Sequence, residues 1–534
     1  MRRPFRRPTD AAADIQRVMH FPEARPHRVG STILRPGIWF VLTVVVASAV
    51  LFYRLGDLPI QVWDEARLAN NALEMSQSGL SLVTTYDGQP DHWNTKPPLL
   101  IWAMALSIRV FGPTEWAVRF PSAVAALVTA MIVFAFCVSK TGRPWAAFVA
   151  VLVMLGSPGY VQGTDFWTNP GELLQGHAAR SGNYEATLAL FTTIYLLAAF
   201  EFISGKSSSG PRWLLLCTSG IVLAFLTKTV QGLLFLPALV MFAAAKGQIR
   251  RLVSSTAVWT AVLGASVVAV GYYIAREYLD PGYMRSALTY DFGRFRAVSD
   301  GHHGEWFYYL AQSRLFPTLV PFLMIGILQA LADRGERREL SAYVALVSAT
   351  YIAVLSFSAT KLWWYAIPLV PLSAIAVALA LDMVADRASK RGNLRTAGKE
   401  SAVLWILCAA VGSLVVFRSM QLDEMGTVTA QSRPEDSYSY FLRGPVAAAP
   451  DIRNVVVLHP GYSRDVYYVA PTLFYANVLR SQGRSVLIQH PEKPLPTGVD
   501  TVIVCSGDIG RSSLDRKRLV LVLQADACAA YRVT

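Results

Sequence analysis

The chain is poor in charge. Only 16% of its 534 residues are Asp, Glu, Lys or Arg, against roughly a quarter in soluble domains. A soluble protein of this length would be several domains joined by polar linkers. Long apolar stretches recur here instead, and the mean hydropathy is +0.37. These features exclude an ordinary soluble enzyme and read as a polytopic membrane protein. Cysteine is scarce too: there are five, with no CxxC and no metal-type cluster. Cys137, Cys217 and Cys408 fall in apolar spans as packing residues. Cys505 and Cys528 lie in the C-terminal region and could pair if it is extracytoplasmic. HExxH is absent, as are internal repeats, and the C-terminal region has no phosphate-cradling GxGxxG or GxxxxGK[ST].

Acidic charge is the minority, 36 residues against 49 Lys and Arg. The excess of basic residues could suggest nucleic acid. It clusters, however, in short loops between apolar spans and in the Arg- and Pro-rich segment 1–35. That is the positive-inside pattern, so no nucleic-acid partner is expected. Segment 1–35 reads as a disordered cytoplasmic tail without a cleavable signal.

Apolar spans are read at 36–53, 119–138, 144–162, 186–204, 212–228, 229–246, 253–275, 306–330, 340–358, 362–382 and 401–417. With the basic tail inside, every later basic loop falls inside only if 97–112 does not cross. That segment is therefore read as a juxtamembrane or re-entrant helix. The outer face then gathers 54–96, 163–185, the turn at Lys228, 276–305, the turn at Thr360-Lys361, and everything after Arg418. Beyond about 419, short buried strands at 455–458, 485–489, 501–505 and 519–524, with a helix over 471–482, indicate a small α/β domain. The expected architecture is α-helical and polytopic, with about 11–13 transmembrane helices and juxtamembrane helices in the first outer loop. Its parts are the tail 1–35, a membrane domain 36–417 and an extracytoplasmic α/β domain 418–534.

The unusual polar residues share that outer face. Asp64-Glu65-Ala66-Arg67 opens a short helix that puts Asp64 and Arg67 on one side; simple capping by Asp64 is the alternative. Lys96 precedes Pro97-Pro98 and introduces an apolar helix. A lysine opposes the dipole at a helix N-terminus, so an anion shared with that terminus explains it better. Glu185 begins span 186–204, either as a first-turn acid or as a second carboxylate facing the outer cavity. Arg180 either holds substrate or is solvated. Lys228 and Lys361 sit among apolar and aromatic residues, where a charge must snorkel or meet a partner. His302-His303 lies in a loop; His302 with a carboxylate could help hold a divalent metal, and a plain interfacial loop is the alternative.

These elements, in order, resemble a known group. They are Asp64-Glu65-Ala66-Arg67, Lys96-Pro97-Pro98-Leu99, Arg119-Phe120-Pro121-Ser122, Ala179 to Glu185, Leu226-Thr227-Lys228, His302 with Tyr308-Tyr309, and Thr360-Lys361 with Tyr365 and Pro368. Over about residues 36–382 the chain resembles the lipid A aminoarabinose transferases, GT-C fold glycosyltransferases akin to protein O-mannosyltransferases. The resemblance implies an inverting enzyme of the bacterial inner membrane. Such an enzyme takes a sugar from a polyprenyl-phosphate carrier at the outer face and passes it to a lipid or glycan acceptor. It implies Asp64 as the principal catalytic carboxylate and Arg67, Lys96 and Lys228 on the carrier phosphate. Glu185 would be the second acid, with Glu65, Arg180, Lys361 and Tyr365 around the cavity. Three departures stand out. Thr95 replaces a Glu proposed as a metal ligand, Gly182-Asn183-Tyr184-Glu185 replaces a Gly-Asp-Tyr-Asp run, and 163–178 looks inserted, offering Asp165, Glu172 and His177 to an acceptor.

The chemistry asked of these residues is consistent. A base must take the acceptor's proton, and cations must stabilise the phosphate as the glycosidic bond breaks. The competing readings are a protein O-glycosyltransferase of the same fold and a transporter or flippase of an anionic lipid. The first shares the chemistry. The second fits less well, since transporters often show repeats and midplane charges.

Overall fold

The computed structural model describes residues 36–533 apart from 158, 162, 165–172, 175–177, 206–209, 299–300, 313–315, 334, 391–409, 411, 418–436, 464–465 and 506–518. The tail 1–35, most of the proposed insertion, including Asp165, Glu172 and His177, and most of the span 401–417 lie outside the described residues.

Among the described residues six segments are long and apolar enough to cross a membrane: Glu115–Thr141, Glu185–Ser204, Gly210–Leu233, Thr256–Leu279, Gly335–Phe357 and Trp363–Arg387. Shorter apolar helices accompany them, at Pro36–Phe52, Leu99–Phe111, Pro144–Leu155, Leu236–Ala245 and Leu323–Ala332. We label the helices used below α1 (Pro36–Phe52), α2 (Asp64–Ser78), α3 (Leu99–Phe111), α4 (Glu115–Thr141), α5 (Pro144–Leu155), α6 (Glu185–Ser204), α7 (Gly210–Lys228), α8 (Leu236–Ala245), α9 (Thr256–Leu279), α10 (Tyr283–Arg296), α11 (Phe316–Ala332), α12 (Gly335–Phe357), α13 (Val370–Lys390) and α14 (Val466–Ser481).

Local chemistry sets the boundaries. Thr114 caps α4 by accepting from the Ala117 amide, and Gly142, in the left-handed region at φ 67°, closes it. Pro144 then starts α5 where its missing N–H costs nothing. Helix α6 is the central post: Leu188, Leu196 and Phe200 are fully buried in one apolar cluster with Trp39, Phe148, Tyr343 and Leu372. Between helices in lipid, small residues permit close packing. At Gly220 of α7 a Cβ would lie 2.8 Å from that of Tyr195.

Helix α3 has 13 residues, about 20 Å at 1.5 Å per residue, too short for a hydrocarbon core of about 30 Å. It packs between α2 and α4 with Ile101, Met104 and Ala105 buried. The expected single span 229–246 is corrected. Helix α7 ends at Lys228, a 3-10 turn occupies Thr229–Leu233, and α8 covers only Leu236–Ala245. The break has a cause: Thr229 has φ 42°, and the turn presses on α7 where a Cβ on Gly232 would meet the Ala224 carbonyl at 2.5 Å. Two more expected spans begin irregularly, with a π turn at Tyr308–Gln312 and a 3-10 turn at Trp363–Leu369. Non-α backbone at membrane depth is tolerated where it is buried in protein or lines a cavity.

The C-terminal domain holds a five-stranded sheet, β1 (Asn454–Leu458), β2 (Ser485–Gln489), β3 (Thr501–Cys505), β4 (Leu519–Ala525) and β5 (Cys528–Val533), in the order β2-β1-β3-β5-β4. The first three are parallel and the last two antiparallel. Strand β5 is an addition to the four strands expected from sequence; CAAYRV is short and alanine-rich. Cys505 and Cys528 face each other across β3 and β5 and are disulfide-bonded. Helix α14 lies against α2. Asn70 donates to the Ala470 carbonyl at 2.8 Å, and Tyr475 accepts from the Ile60 amide at 2.8 Å while donating to Glu115 at 2.6 Å. Arg443 reaches Glu115 at 2.9 Å and the Gly56 and Asp57 carbonyls at 2.6 Å each. The domain is thus fastened to the helix that carries Asp64.

Candidate active site

The two adjacent acids of α2 part company. Glu65 points inward and is only 2% exposed. It accepts from Arg119 at 2.8 and 2.9 Å and from the Gln61 and Gly182 amides at 2.8 Å each. Burial pushes its carboxyl up, but Arg119 and these hydrogen bonds outweigh it and hold the acid below its ordinary value. Glu65, expected around the cavity, is instead a brace joining α2, α4 and the loop before α6. Asp64 begins α2 and is half-buried. Among the described residues it has no hydrogen-bond or ion-pair partner. Trp63 before it holds φ 73°, a conformation costly for a bulky side chain.

Arg67, expected on the phosphate, is already answered. It makes two bonds to Asp91, at 2.8 and 2.7 Å, with its guanidinium 3.4 Å from the centre of the Tyr86 ring. Asp91 also accepts from the Trp93 and Asn94 amides at 3.1 and 3.2 Å. Arg67 therefore anchors the loop that delivers Lys96. On the other side Tyr283 donates to the Thr95 carbonyl at 2.6 Å, and Pro97 and Pro98 stiffen the backbone leading into α3.

Lys96, held this way, forms no hydrogen bond or ion pair among the described residues. It lines a cleft of about 500 Å³ of empty space with Lys228, Thr229, Gln231, Asp291, Arg294 and Tyr365. Burial first, then the nearby Arg294 and Lys228, lower its pKa to about 8, against the pull of Asp291 and Asp64. Lys228 and Glu185 form a buried ion pair, and the Lys228 ammonium stands 4.7 Å from the centre of the Tyr365 ring. Arg294 donates to the Tyr365 hydroxyl at 2.8 Å. Asp291 accepts from Thr229 at 2.9 Å. Partial burial raises its carboxyl above the ordinary value, with Lys96 opposing. Gln231 is 8% exposed, and neither end of its amide has a hydrogen-bond partner among the described residues. The end of α7 thus supplies Lys228, and the irregular turn after it Thr229 and Gln231, to one wall.

Other expected site residues lie apart from the cleft lining. Arg180 is buried and donates to the Val50 carbonyl at 2.8 Å. Lys361 turns back onto the end of α12 and donates to the carbonyls of Ser356, at 2.6 Å, and Ser358. A cation there complements the helix C-terminus, so its role is a cap. His302 is exposed, with its ring edge-on to Trp364, and its carbonyl accepts from the Lys361 amide at 2.9 Å. Among the described residues no three His, Cys, Asp or Glu side chains gather as a metal site. Thr95, beside Lys96, is buried.

Asp291, Arg294, Thr229 and Gln231 escaped sequence reading. A signal was present: Asp291 and Arg294 repeat the three-residue acid-to-arginine spacing of Asp64 and Arg67, in a segment already assigned to the outer face.

The arrangement is a cleft lined by three cations, of which Lys96 has no partner among the described residues, with the Asp64 carboxylate within electrostatic reach of it. The family described as Dolichyl-phosphate-mannose-protein mannosyltransferase matches residues 95–274. Among individual relatives, the chain is 27% identical over 374 residues to an undecaprenyl phosphate-alpha-4-amino-4-deoxy-L-arabinose arabinosyl transferase of Aeromonas hydrophila, covering 68% of this chain and 63% of that protein. It is 28% identical over 203 residues to an uncharacterized protein of Aquifex aeolicus, covering 38% and 36%. The chain thus spans between about a third and two thirds of these curated relatives. Among solved structures, ArnT from Cupriavidus metallidurans matches in the apo state with a TM-score of 0.63 and bound to undecaprenyl phosphate with 0.62. Identity is 17%, and the alignments cover 93% and 92% of this chain and 98% of each ArnT chain. The chain shares the ArnT fold, a polytopic helical domain with a small C-terminal sheet domain, and resembles the GT-C glycosyltransferases.

Proposed function

We propose that the protein is an inverting glycosyltransferase of the bacterial inner membrane. It moves a sugar from a polyprenyl-phosphate carrier to a lipid A, lipopolysaccharide or other cell-envelope acceptor at the outer face. The observation that carries this reading is Lys96, a cation without a partner among the described residues, in a cleft that also presents Arg294, Tyr365 and Lys228. An unpaired cation in such a place costs free energy unless an anion comes to it, and a phosphate held by Lys96 and Arg294 supplies that anion. Asp64, within electrostatic reach of Lys96, is the base that deprotonates the acceptor hydroxyl. As the anomeric C–O bond breaks, its electron pair stays on the carrier phosphate, where the two cations stabilise it. Glu185 holds Lys228 in place through their ion pair.

The disulfide supports an oxidising compartment for the C-terminal domain and hence an outer-face cleft, with the N-terminus in the cytoplasm. The similarity to undecaprenyl-phosphate-dependent transferases supports a polyprenyl-phosphate donor. A transfer assay with purified protein, polyprenyl-phosphate sugar and envelope lipid extract tests the reading. Asp64→Asn should abolish transfer while leaving carrier binding within about twofold of wild type, since a base is not a phosphate ligand. Full transfer by a folded Asp64→Asn variant would refute the assignment.

A further inference from the structure

The cleft and its surroundings account for one face of α10. Tyr283, Ala287, Asp291 and Arg294 recur at helical spacing; the first two are buried and the last two line the cleft. The opposite face is unaccounted for. It presents Arg285, Leu288, Thr289 and Arg296, all exposed. Neither arginine side chain forms an ion pair or a hydrogen bond among the described residues. They are eleven residues apart in the sequence. That spacing is close to three full turns, so both project on one side, about 16 Å from each other along the axis.

The neighbouring spans set where this face sits. Helix α9 is long and apolar enough to cross a membrane, and only its Tyr272 and Arg276 are buried. Near its two ends Trp259 and Tyr278 are exposed, nineteen residues apart, or about 28 Å at 1.5 Å per residue. Tryptophan and tyrosine collect at the two membrane–water boundaries, about 30 Å apart, so Tyr278 marks one of them. Helix α10 starts five residues further on. At its other end the Arg294 carbonyl accepts from the Ser358 hydroxyl at 3.1 Å and from the Thr360 amide at 3.0 Å. Those donors directly follow α12, a second span. With 14 residues, about 21 Å, α10 is too short to join opposite boundaries. It therefore runs along one membrane surface, from the end of α9 to the end of α12.

A helix so placed, with apolar and basic residues together on its exposed face, has the make-up of an interfacial helix. Leu288, and Val298 just beyond the helix, supply exposed apolar surface. On the outer side proposed above, short loops ordinarily avoid arginine and lysine, so two unpaired guanidinium groups call for a partner at that boundary. Lipid phosphates lie at that depth, and a guanidinium takes phosphate oxygens through paired N–H donors. We propose that the exposed face of α10 docks on the phosphate headgroups of anionic phospholipid and so braces the opposite face, with Asp291 and Arg294, as a wall of the cleft. The inference goes beyond sugar transfer: it makes the surrounding lipid a structural partner of the site.

Hydrogen–deuterium exchange of the full-length protein in nanodiscs tests this. The discs hold phosphatidylcholine alone, or phosphatidylcholine with phosphatidylglycerol, at low salt. A basic side chain at an anionic surface contributes about a fivefold change. Amides of 283–296 in wild type should therefore exchange roughly 25-fold more slowly with phosphatidylglycerol present. Arg285→Gln and Arg296→Gln should each lose about fivefold of that protection, and the double variant all of it. The paired Arg285→Lys and Arg296→Lys variant should keep most of it, and added salt should weaken it in wild type. Both positions are exposed, so the glutamine variants should fold, read as unchanged exchange in α4 and α6. With phosphatidylglycerol present, the double glutamine variant should bind a non-hydrolysable undecaprenyl phosphodiester several-fold more weakly than wild type; equal affinity overturns the bracing of the cleft. Equal wild-type exchange in the two bilayers overturns the docking, as does protection that survives in the double variant. Protection by undecaprenyl phosphate in phosphatidylcholine, with none from phosphatidylglycerol, assigns the face to the carrier and overturns it too. The exchange measurement uses no sugar donor, so its outcome is separate from that of the transfer assay.

Discussion

Replacing Lys96 by Ala tests the site through its pH dependence. The lysine has no partner among the described residues, so its charge is answered only when an anion arrives. A charge-assisted hydrogen bond contributes about 1.5–3 kcal/mol, so Lys96→Ala should weaken a singly charged phosphodiester ligand by roughly 10- to 150-fold at pH 7. The pKa of about 8 sharpens this. Only the protonated lysine binds the anion, so below pH 8 the contribution is fully present, and it is lost as pH rises through 8. Wild-type affinity should therefore be flat from pH 6 to 7.5 and then fall, approaching about tenfold per unit. The Lys96→Ala curve, weak throughout, should lack that fall, and the two should converge between about pH 9 and 10. Lys96→Arg should stay charged across the range and shift the loss beyond pH 10 or so. Calorimetric titration in detergent with the phosphodiester analogue measures all three, because that ligand does not itself titrate there. An alkaline fall of the same midpoint in Lys96→Ala would assign the titration to another group and refute the reasoning.

Glu65→Gln should destabilise the fold rather than alter ligand binding. It leaves Arg119 buried without its counter-charge, at a cost of about 3–5 kcal/mol, nearer the low end because Arg119 keeps the carbonyls of Leu55, Leu58 and Pro59. Thermal unfolding should fall sharply while the folded fraction binds phosphodiester as wild type; a stable variant that cannot bind would return Glu65 to the cavity. The depressed Glu65 pKa means that its stabilisation is present above the ordinary carboxylate range and is lost as pH falls below it. Removing the Cys505–Cys528 bridge, whose cysteines are 23 residues apart, should cost about 3 kcal/mol, read as earlier proteolysis of the C-terminal domain. In protein isolated under non-reducing conditions neither cysteine should react with a maleimide.

Sequence reading reached the layered plan because hydropathy and loop charge act over long windows. The non-crossing α3 was legible from charge parity, and four of the five strands from short apolar runs. What it lost depends on side-chain direction. Glu65 and Asp64 are neighbours in the chain, but helix geometry sends one into the Arg119 hub and leaves the other without a partner among the described residues. Arg67 looked like a phosphate ligand because nothing in the sequence pairs it with Asp91, 24 positions away. Lys361 looked like a cavity residue until the end of α12 curled beneath it. Asp291 and Arg294 lie in a polar helix without hydropathy contrast, so only their acid-to-arginine spacing set them apart from their neighbours.

The fastening of α14 to α2 carries a consequence for how the molecule is made. Asp64 and Lys96 lie within the first fifth of the chain, while Tyr475 and Arg443, which hold the base of α2, lie in the last fifth. Synthesis runs from one to the other, and domains fold largely as they emerge. Helix α2, which carries the proposed base Asp64, therefore gains its contact with α14 only after the C-terminal domain has been made. A chain that stopped before α14 would carry Asp64 and Lys96 but lack the contacts that brace α2 and the loop before it.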